Sequence, residues 1–149
     1  MNSTRTATTD GFGRSVQITN GRFVATMMTG LLPVADMVSR IQLLAPFEQA
    51  LEQTHKPKDR SLYSAGAMFR QRVFAHICGF EDLADHDVIT EDEGFLSALG
   101  VNDAAGSSTL CRFENSITRQ DLDRLNCCFL DALLRANRKH RIFSRAGPG

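Results

Sequence analysis

The chain has 149 residues, of which 42% are hydrophobic and 23% charged, a composition that indicates one globular domain and excludes a fibrous or disordered chain. Seventeen Lys and Arg residues balance seventeen Asp and Glu residues, so no overall positive charge marks a nucleic-acid-binding protein. Because the longest uncharged stretch, residues 23–35, is too short to cross a bilayer, we expect a soluble cytoplasmic protein without a membrane partner.

The N-terminal region predicts a flexible arm over residues 1–13, which are rich in Thr and Gly. After it, Val16 and Ile18 alternate with polar residues, and Asn20-Gly21 separates this run from residues 22–26. Asn-Gly between two β-prone runs is a strong hairpin signal, because both turn positions need positive φ. We therefore predict one N-terminal β-hairpin, with strands at 15–19 and 22–26.

The rest of the chain is helical in pattern, so the predicted fold class is mainly α. A helix starting near Pro33 and a short helix ending near Thr54 precede a polar linker at residues 55–60. A long helix follows, capped by Ser61 and closed by Gly79. Its predicted buried stripe consists of Leu62, Ala65, Phe69, Val73, Ile77 and Phe80.

Capping signals divide the second half of the chain. A capping box over residues 90–93 predicts a helix that ends at Gly100, and Ser107 begins a short helix. Thr118 and Asp121 begin an amphipathic helix that reaches Ala136. The helical domain with its leading hairpin is thus predicted over residues 14–137, followed by a basic disordered tail at residues 138–149.

Residues 91–115 predict a helix, a glycine-containing turn and a second helix, a pattern that resembles a helix-turn-helix. Ser108, Arg112 and Asn115 share the face opposite the apolar residues of the second helix, and the N–H groups at its start could hold a phosphate. Alternatively, the segment is a packing element in which Arg112 pairs with the acidic block, residues 81–103, which holds eight acids and no base. The pattern leaves both interpretations open.

Neither a metal site nor a catalytic constellation is predicted. The acidic and histidine residues of the cluster Asp82, Asp85, His86 and Asp87 match no established ligand spacing, and capping or ion pairing explains them more simply. The four cysteines also match no zinc or redox motif, so we predict reduced thiols and no cofactor.

Two motifs resemble one known family. Residues 68–87, MFRQRVFAHICGFEDLADHD, and residues 108–115, STLCRFEN, are similar to segments of bacterial insertion-sequence transposases of the type called DDE domain group 1. The family pattern runs LRQRV, then Gly-aromatic-Glu-Asp, then Asp-His/Leu-Asp, and later S-x-T-x-S-R-x-E-N. Residues 17–30 also resemble the opening strands of that family, although Met27, Met28 and Thr29 depart from its usual run. The resemblance covers roughly residues 14–135.

The resemblance implies a fragment without catalysis of its own. Such transposases continue into a ribonuclease-H-like domain, where three carboxylates bind two divalent metal ions, Mg²⁺ in the full-length family. The first of those carboxylates follows the helix that corresponds to residues 122–136, whereas residues 138–149 contain no acid. The chain therefore resembles the N-terminal portion of a transposase, truncated before the catalytic domain, and whether it is an enzyme stays open.

The predicted function is weak DNA binding at element ends during transposition. The residues expected to contact DNA are Ser108, Arg112, Asn115, Lys56, Lys58, Arg70 and Arg72, with at most one of Arg70 and Arg72 facing the DNA. The alternative is a protein-interaction remnant that does not touch DNA and that dimerises with, or inhibits, an intact transposase. A homo-oligomer is compatible with both.

Overall fold

The structure is a computed structural model that describes residues 5–9, 14–18, 28, 30–55 and 62–140, with side chains at 28, 30–55 and 62–135. It confirms a mainly helical chain. The elements, in chain order, are β1 (Arg5–Thr9), β2 (Arg14–Ile18), α1 (Leu31–Arg40), α2 (Ala45–Thr54), α3 (Ala65–Ile77), α4 (His86–Ile89), α5 (Glu93–Leu99), α6 (Ser107–Ser116) and α7 (Arg119–His140).

The two strands form an antiparallel pair in which Arg5 lies opposite Ile18 and Thr9 lies opposite Arg14. β2 overlaps the first predicted strand, but β1 falls within the segment predicted to be a flexible arm, and that part of the prediction is corrected. Threonine is β-branched and favours strands, and the prediction of an arm over residues 1–13 did not take this preference into account. The Asn20-Gly21 turn and the strand predicted at 22–26 lie outside the described residues, so that hairpin stays a prediction.

Helices α1 and α2 begin where their prolines predict. Pro33 and Pro46 lie in the first turns, where the missing N–H costs no intrahelical hydrogen bond. Leu31, Ala35 and Val38 of α1 are buried, and α1 packs against α5. The predicted short second helix is also confirmed, since α2 ends at Thr54.

Helix α3 is the central element, packed against α1, α2, α5 and α6. Phe74 and Ala75 lie in the core shared with α1 and α5, while Ala65 and Met68 lie in a second core shared with α2 and α6. The predicted stripe is confirmed only in part. Ala65 is buried, and Phe69, Val73 and Phe80 pack half-buried against the cores, whereas Leu62 and Ile77 are exposed. A helix with neighbours on several sides buries more than one stripe, which a single-face pattern cannot indicate.

Close approach of α2 and α3 depends on Gly66. A Cβ atom at this position would lie 2.9 Å from Oε1 of Glu52 and 3.0 Å from Cβ of Glu48, both too close for an undisturbed side chain. The Gly66 N–H donates to the Glu52 carboxylate at 3.0 Å. The glycine thus allows both the short interhelical distance and this hydrogen bond.

The ends of α3 and α5 carry capping residues of the kind that the sequence predicts, but both N-terminal caps lie at other positions than predicted. Ser64 caps α3 rather than Ser61, which lies outside the described residues, and Asp92 rather than Thr90 caps α5. Gly79 and Gly100 adopt positive φ values of 88° and 74° after α3 and α5, as predicted for left-handed C-terminal positions.

Helix α7 begins at Arg119 and reaches His140, which is farther than predicted and extends into the segment assigned to a disordered tail. It packs against α2, where the Cys128 thiol approaches the Pro46 carbonyl at 3.6 Å. Residues 141–149 lie outside the described residues. In the part of the chain that the structure describes, no helix is long and apolar enough to cross a membrane.

Candidate nucleic-acid interface

Helix α6 carries the polar row that the sequence predicts. Leu110 and Phe113 are buried in the core shared with α2 and α3. Ser108, Arg112 and Asn115 lie on the exposed side of the same helix. At a rise of about 1.5 Å per residue, this row spans about 10 Å along the helix.

The Arg112 guanidinium lies along its own helix. Its Nε donates to the Ser108 carbonyl at 3.2 Å, and a terminal nitrogen donates to the Thr109 hydroxyl at 3.4 Å. No ion pair of the described residues includes Arg112, so the alternative expectation of pairing with the acidic block is not what the structure shows. The positive charge of Arg112 is exposed without a carboxylate partner in this part of the chain.

A carboxylate already occupies the start of α6. Asp87 accepts from the Ser107 N–H at 2.8 Å and from the Ser107 hydroxyl at 2.7 Å. These two hydrogen bonds, the backbone one first, lower the pKa of Asp87 below its usual value. The expectation that this helix start holds a phosphate is therefore corrected for Ser107, because Asp87 provides the negative group there.

Arg70 and Arg72 both point to glutamates of neighbouring helices. Arg70 on α3 forms a two-point ion pair with Glu48 on α2, at 2.7 and 2.6 Å. Arg72 donates from Nε to Glu114 on α6 at 2.5 Å and from a terminal nitrogen to the Glu81 carbonyl at 3.2 Å. Contact of either arginine with DNA stays a prediction, and Lys56 and Lys58 lie outside the described residues.

A buried polar network beneath α6 was missed by sequence reasoning. The Gln71 amide pairs with the Ala105 backbone, donating to its carbonyl at 2.7 Å and accepting from its N–H at 2.9 Å. His86 is fully buried, with Nδ1 at 3.0 Å from Gln71 Nε2 and Nε2 at 3.0 Å from an Arg72 nitrogen. The available signal was Gln71 itself, a polar residue in the row of Met68 and Ala75, at helical spacing.

Burial, followed by the positive charge of Arg72, lowers the pKa of His86 to about 4. The imidazole ring of His86 is therefore neutral at physiological pH. His86 acts inside the protein rather than on its surface.

The connection between α5 and α6 comprises residues 100–106. This connection is longer than the three or four residues of a typical helix-turn-helix. It is held by a hydrogen bond of 2.6 Å from the Tyr63 hydroxyl to Asp103. The helix-turn-helix interpretation of this segment stays a prediction, while the order of helix, connection and helix is as predicted.

Comparison with known proteins identifies the family. Residues 9–143 match the family model described as Transposase DDE domain group 1, and the chain belongs to this family of DDE transposases. Membership indicates a role in DNA transposition, with DNA as the partner that such a role implies. No curated protein and no solved structure matches the chain.

The described residues do not fit the pair of divalent metal ions that DDE chemistry uses. Asp82 accepts from the Ala84 N–H at 3.1 Å, His86 is buried toward α3, and Asp87 faces Ser107, so the predicted acidic cluster does not converge on one point. Among the described residues, no three His, Cys, Asp or Glu side chains are grouped so that they could hold a metal ion.

Proposed function

We propose that this chain acts as the N-terminal, DNA-contacting portion of an insertion-sequence transposase and that α6 binds DNA at the element ends. The observation that carries the proposal is the exposed row of Ser108, Arg112 and Asn115, in which Arg112 forms no ion pair with a described residue. Family membership supports DNA as the ligand of this row.

The row has the chemistry that reads a DNA groove. Arg112 can bind a guanine edge or a phosphate through two N–H groups, and Asn115 can pair with an adenine edge. The Ser108 hydroxyl can donate to a phosphate. Lys56 and Lys58 add phosphate contacts in this proposal, whereas Arg70 or Arg72 could contact DNA only by leaving its glutamate.

The expected binding is weak. Asp87 and Glu114 place negative charge at both ends of α6, and phosphate groups that approach the helix are repelled by them. With few phosphate contacts, we expect a dissociation constant in the micromolar range or weaker at physiological salt.

Fluorescence anisotropy with a labelled duplex of about 20 base pairs, titrated at about 50 to 200 mM salt, tests the proposal. We expect Arg112→Ala to weaken binding and to reduce the slope of log affinity against log salt by about 0.9, because one phosphate contact is lost. Arg135→Ala is the matched control, since Arg135 is also exposed but lies on α7. Its binding and salt slope should equal those of the unaltered protein.

Two outcomes contradict the proposal: no binding at the lowest salt, or equal binding by Arg112→Ala and the unaltered protein. A duplex with the terminal sequence of the surrounding element, compared with a shuffled duplex of equal composition, tests the preference for element ends. Equal affinity for both would leave DNA contact intact but remove the assignment to element ends.

We also propose that the chain binds DNA without cutting it. Support comes from carboxylates that already serve the fold, such as Asp87, Asp92 and Asp121, each of which accepts from a backbone N–H near a helix start. End-labelled duplex should therefore stay intact with Mg²⁺ or Mn²⁺ under the binding conditions. Metal-dependent nicking that a single Asp→Asn change abolishes would contradict this part.

One observation favours the second candidate function, a protein-interaction remnant. Large apolar side chains of α7 are exposed by 42% to 58%, although α7 packs against α2 on another side. These exposed residues, here called the α7 face, are Leu122, Phe129, Leu130, Leu133 and Leu134. Exposed apolar surface on a helix marks protein interaction sites, and a second copy or an intact transposase could cover it.

A further inference from the structure

Helix α6 is held at three points by residues of the 68–87 segment. Gln71 of α3 pairs with Ala105 just before the helix, Asp87 of α4 binds Ser107 at its first residue, and Arg72 of α3 binds Glu114 in its last turn. The anchored residues lie on both ends of the helix. Such an arrangement fixes both the position of α6 and its rotation about its own axis.

The anchor before the helix is the most deeply buried of the three. Ala105 is fully buried and Gln71 is 3% exposed. Their paired hydrogen bonds, 2.7 and 2.9 Å, satisfy both the carbonyl and the N–H of the buried Ala105 backbone. Breaking the pair would leave buried polar groups without hydrogen-bond partners. The desolvation penalty of such groups exceeds the net stabilisation that a typical protein hydrogen bond provides.

Rotation of α6 sets where Arg112 points. Successive residues of an α-helix are about 100° apart, so residues two positions apart face nearly opposite directions. Holding Glu114 toward Arg72 on α3 therefore turns Arg112 away from the protein. The ion pair between Arg72 and Glu114 and the exposure of Arg112 are two consequences of one helix orientation.

We infer that Gln71, Arg72, Asp87 and Glu114 are positioning residues that present the α6 row to DNA without touching DNA themselves. This inference rests on the proposed function of α6. It gives the 68–87 segment a role that its sequence motif does not reveal, because its polar residues are directed inward and toward α6 rather than outward.

The sign of an affinity change separates positioning from simple electrostatics. Glu114→Gln and Asp87→Asn each remove a negative charge beside the proposed DNA site, and loss of repulsion alone would raise DNA affinity. If these residues position α6, affinity should instead fall by about threefold or more. The salt slope should stay unchanged, because no phosphate contact is removed.

Glu93→Gln is the matched control for charge. Glu93 is exposed in the first turn of α5, and its substitution removes one negative charge of the acidic block from a different helix. We expect it to bind as tightly as the unaltered protein or slightly more tightly. Asp87 is exposed and the Glu114 side chain is 41% exposed, so both variants should fold, which circular dichroism would check.

Three results are decisive. Tighter binding by Glu114→Gln and Asp87→Asn, equal to the gain of Glu93→Gln, would overturn the positioning inference while the proposed function stands. Unchanged binding by Arg112→Ala would contradict the proposed function. In that case amide hydrogen exchange still tests positioning, since Glu114→Gln should speed exchange within α6, and equal rates would overturn the inference without any DNA.

Discussion

At the scale of single residues, two hydrogen-bond donors face the ring of His86, which when neutral can accept only one hydrogen bond. Gln71 is fixed in orientation by its two hydrogen bonds to Ala105, so its amide nitrogen faces His86 Nδ1 as a donor. Arg72 faces the other ring nitrogen, Nε2, also as a donor. A neutral imidazole carries one N–H, so in either tautomer one donor faces another. A protonated ring would oppose both, in agreement with its lowered pKa.

This arrangement makes the stability of the protein dependent on pH. The pKa of His86 is about 4 in the folded chain and about 6.5 when unfolded, so between these values only the unfolded state takes up the proton. The free energy of unfolding should therefore decrease as pH falls from 6.5 to 4, by up to about 3 kcal/mol from this residue.

Chemical denaturation at pH 7 and at about pH 4.5 would measure this loss, and His86→Gln is the comparison that removes the titrating group. The variant should lose less stability between the two pH values than the unaltered protein. Equal losses would contradict the assignment to His86 and would leave the acidic residues as the source of the pH dependence.

Residue burial was only partly predictable from the sequence. Leu110 and Phe113 were placed correctly because α6 has one buried side. Phe74, which is fully buried, was missed because α3 contacts helices on several sides and its inward residues do not form one stripe. Gln71 was missed for another reason: its partner is the backbone of Ala105, far away in sequence, and backbone partners leave no residue pattern.

At the scale of elements, local capping chemistry predicted more than apolar periodicity did. Thr118 and Asp121 cap α7 as predicted: Asp121 accepts from the Thr118 N–H at 2.8 Å and from its hydroxyl at 2.6 Å, and the Asp121 N–H returns to that hydroxyl at 3.3 Å. All of these groups lie within four consecutive residues, so the local sequence is enough to predict the interaction. The pairing of β2 with β1 was not predicted, although Asp10-Gly11 between them is a hairpin signal, because the Thr- and Gly-rich residues 1–13 were assigned to an arm.

The α7 cap predicts an unequal response of two aspartates on one helix. Asp121→Ala should lower the free energy of unfolding by about 1–2 kcal/mol, because the Thr118 N–H loses its acceptor in a site where Asp121 is only 4% exposed. Asp123→Ala is the control, since Asp123 is exposed on the same helix, and it should change stability by less than about 0.5 kcal/mol.

Urea denaturation of the three proteins would give these values. The pKa of Asp121 is lowered, chiefly by the Thr118 hydroxyl, so the stabilisation is present above the usual aspartate pKa of 3.8 and is lost as pH falls below it. Near neutral pH the difference between the variants should therefore be complete. Equal stabilities of Asp121→Ala and Asp123→Ala would show that the cap does not stabilise α7.

At the scale of the whole molecule, two surfaces have different chemistry. The α6 row is polar and carries an arginine without an ion-pair partner among the described residues, whereas the α7 face is apolar. The sequence predicted an amphipathic α7 but not that Leu122, Phe129 and Leu133 would stay exposed. Amphipathicity indicates only that a helix needs an apolar neighbour, and α2 covers the neighbouring side, with Leu125 and Cys128 half-buried.

The exposed α7 face predicts self-association through α7. A symmetric dimer buries the same patch on both copies, so one apolar helix face suffices to form it. Sedimentation equilibrium under reducing conditions, which prevent disulfides through the exposed Cys111 and Cys127, should give a mass that rises from 16.5 kDa toward twice that value over a micromolar concentration range. The double variant Phe129→Ser/Leu133→Ser should remain at 16.5 kDa, because it removes apolar area from the centre of the face.

Val88→Ser is the control for this prediction, because Val88 is 68% exposed but lies on α4. It should associate like the unaltered protein, and so should Arg112→Ala, if the DNA-contacting row and the α7 face act independently. A constant mass of one chain for the unaltered protein at all concentrations would contradict self-association. Association that the α7 variant leaves intact would place the contact elsewhere.

If the α7 variant stays monomeric and still binds DNA with the unaltered salt slope, each copy contacts DNA through its own α6. Protein interaction through the α7 face and DNA contact through α6 are then separate properties of one chain.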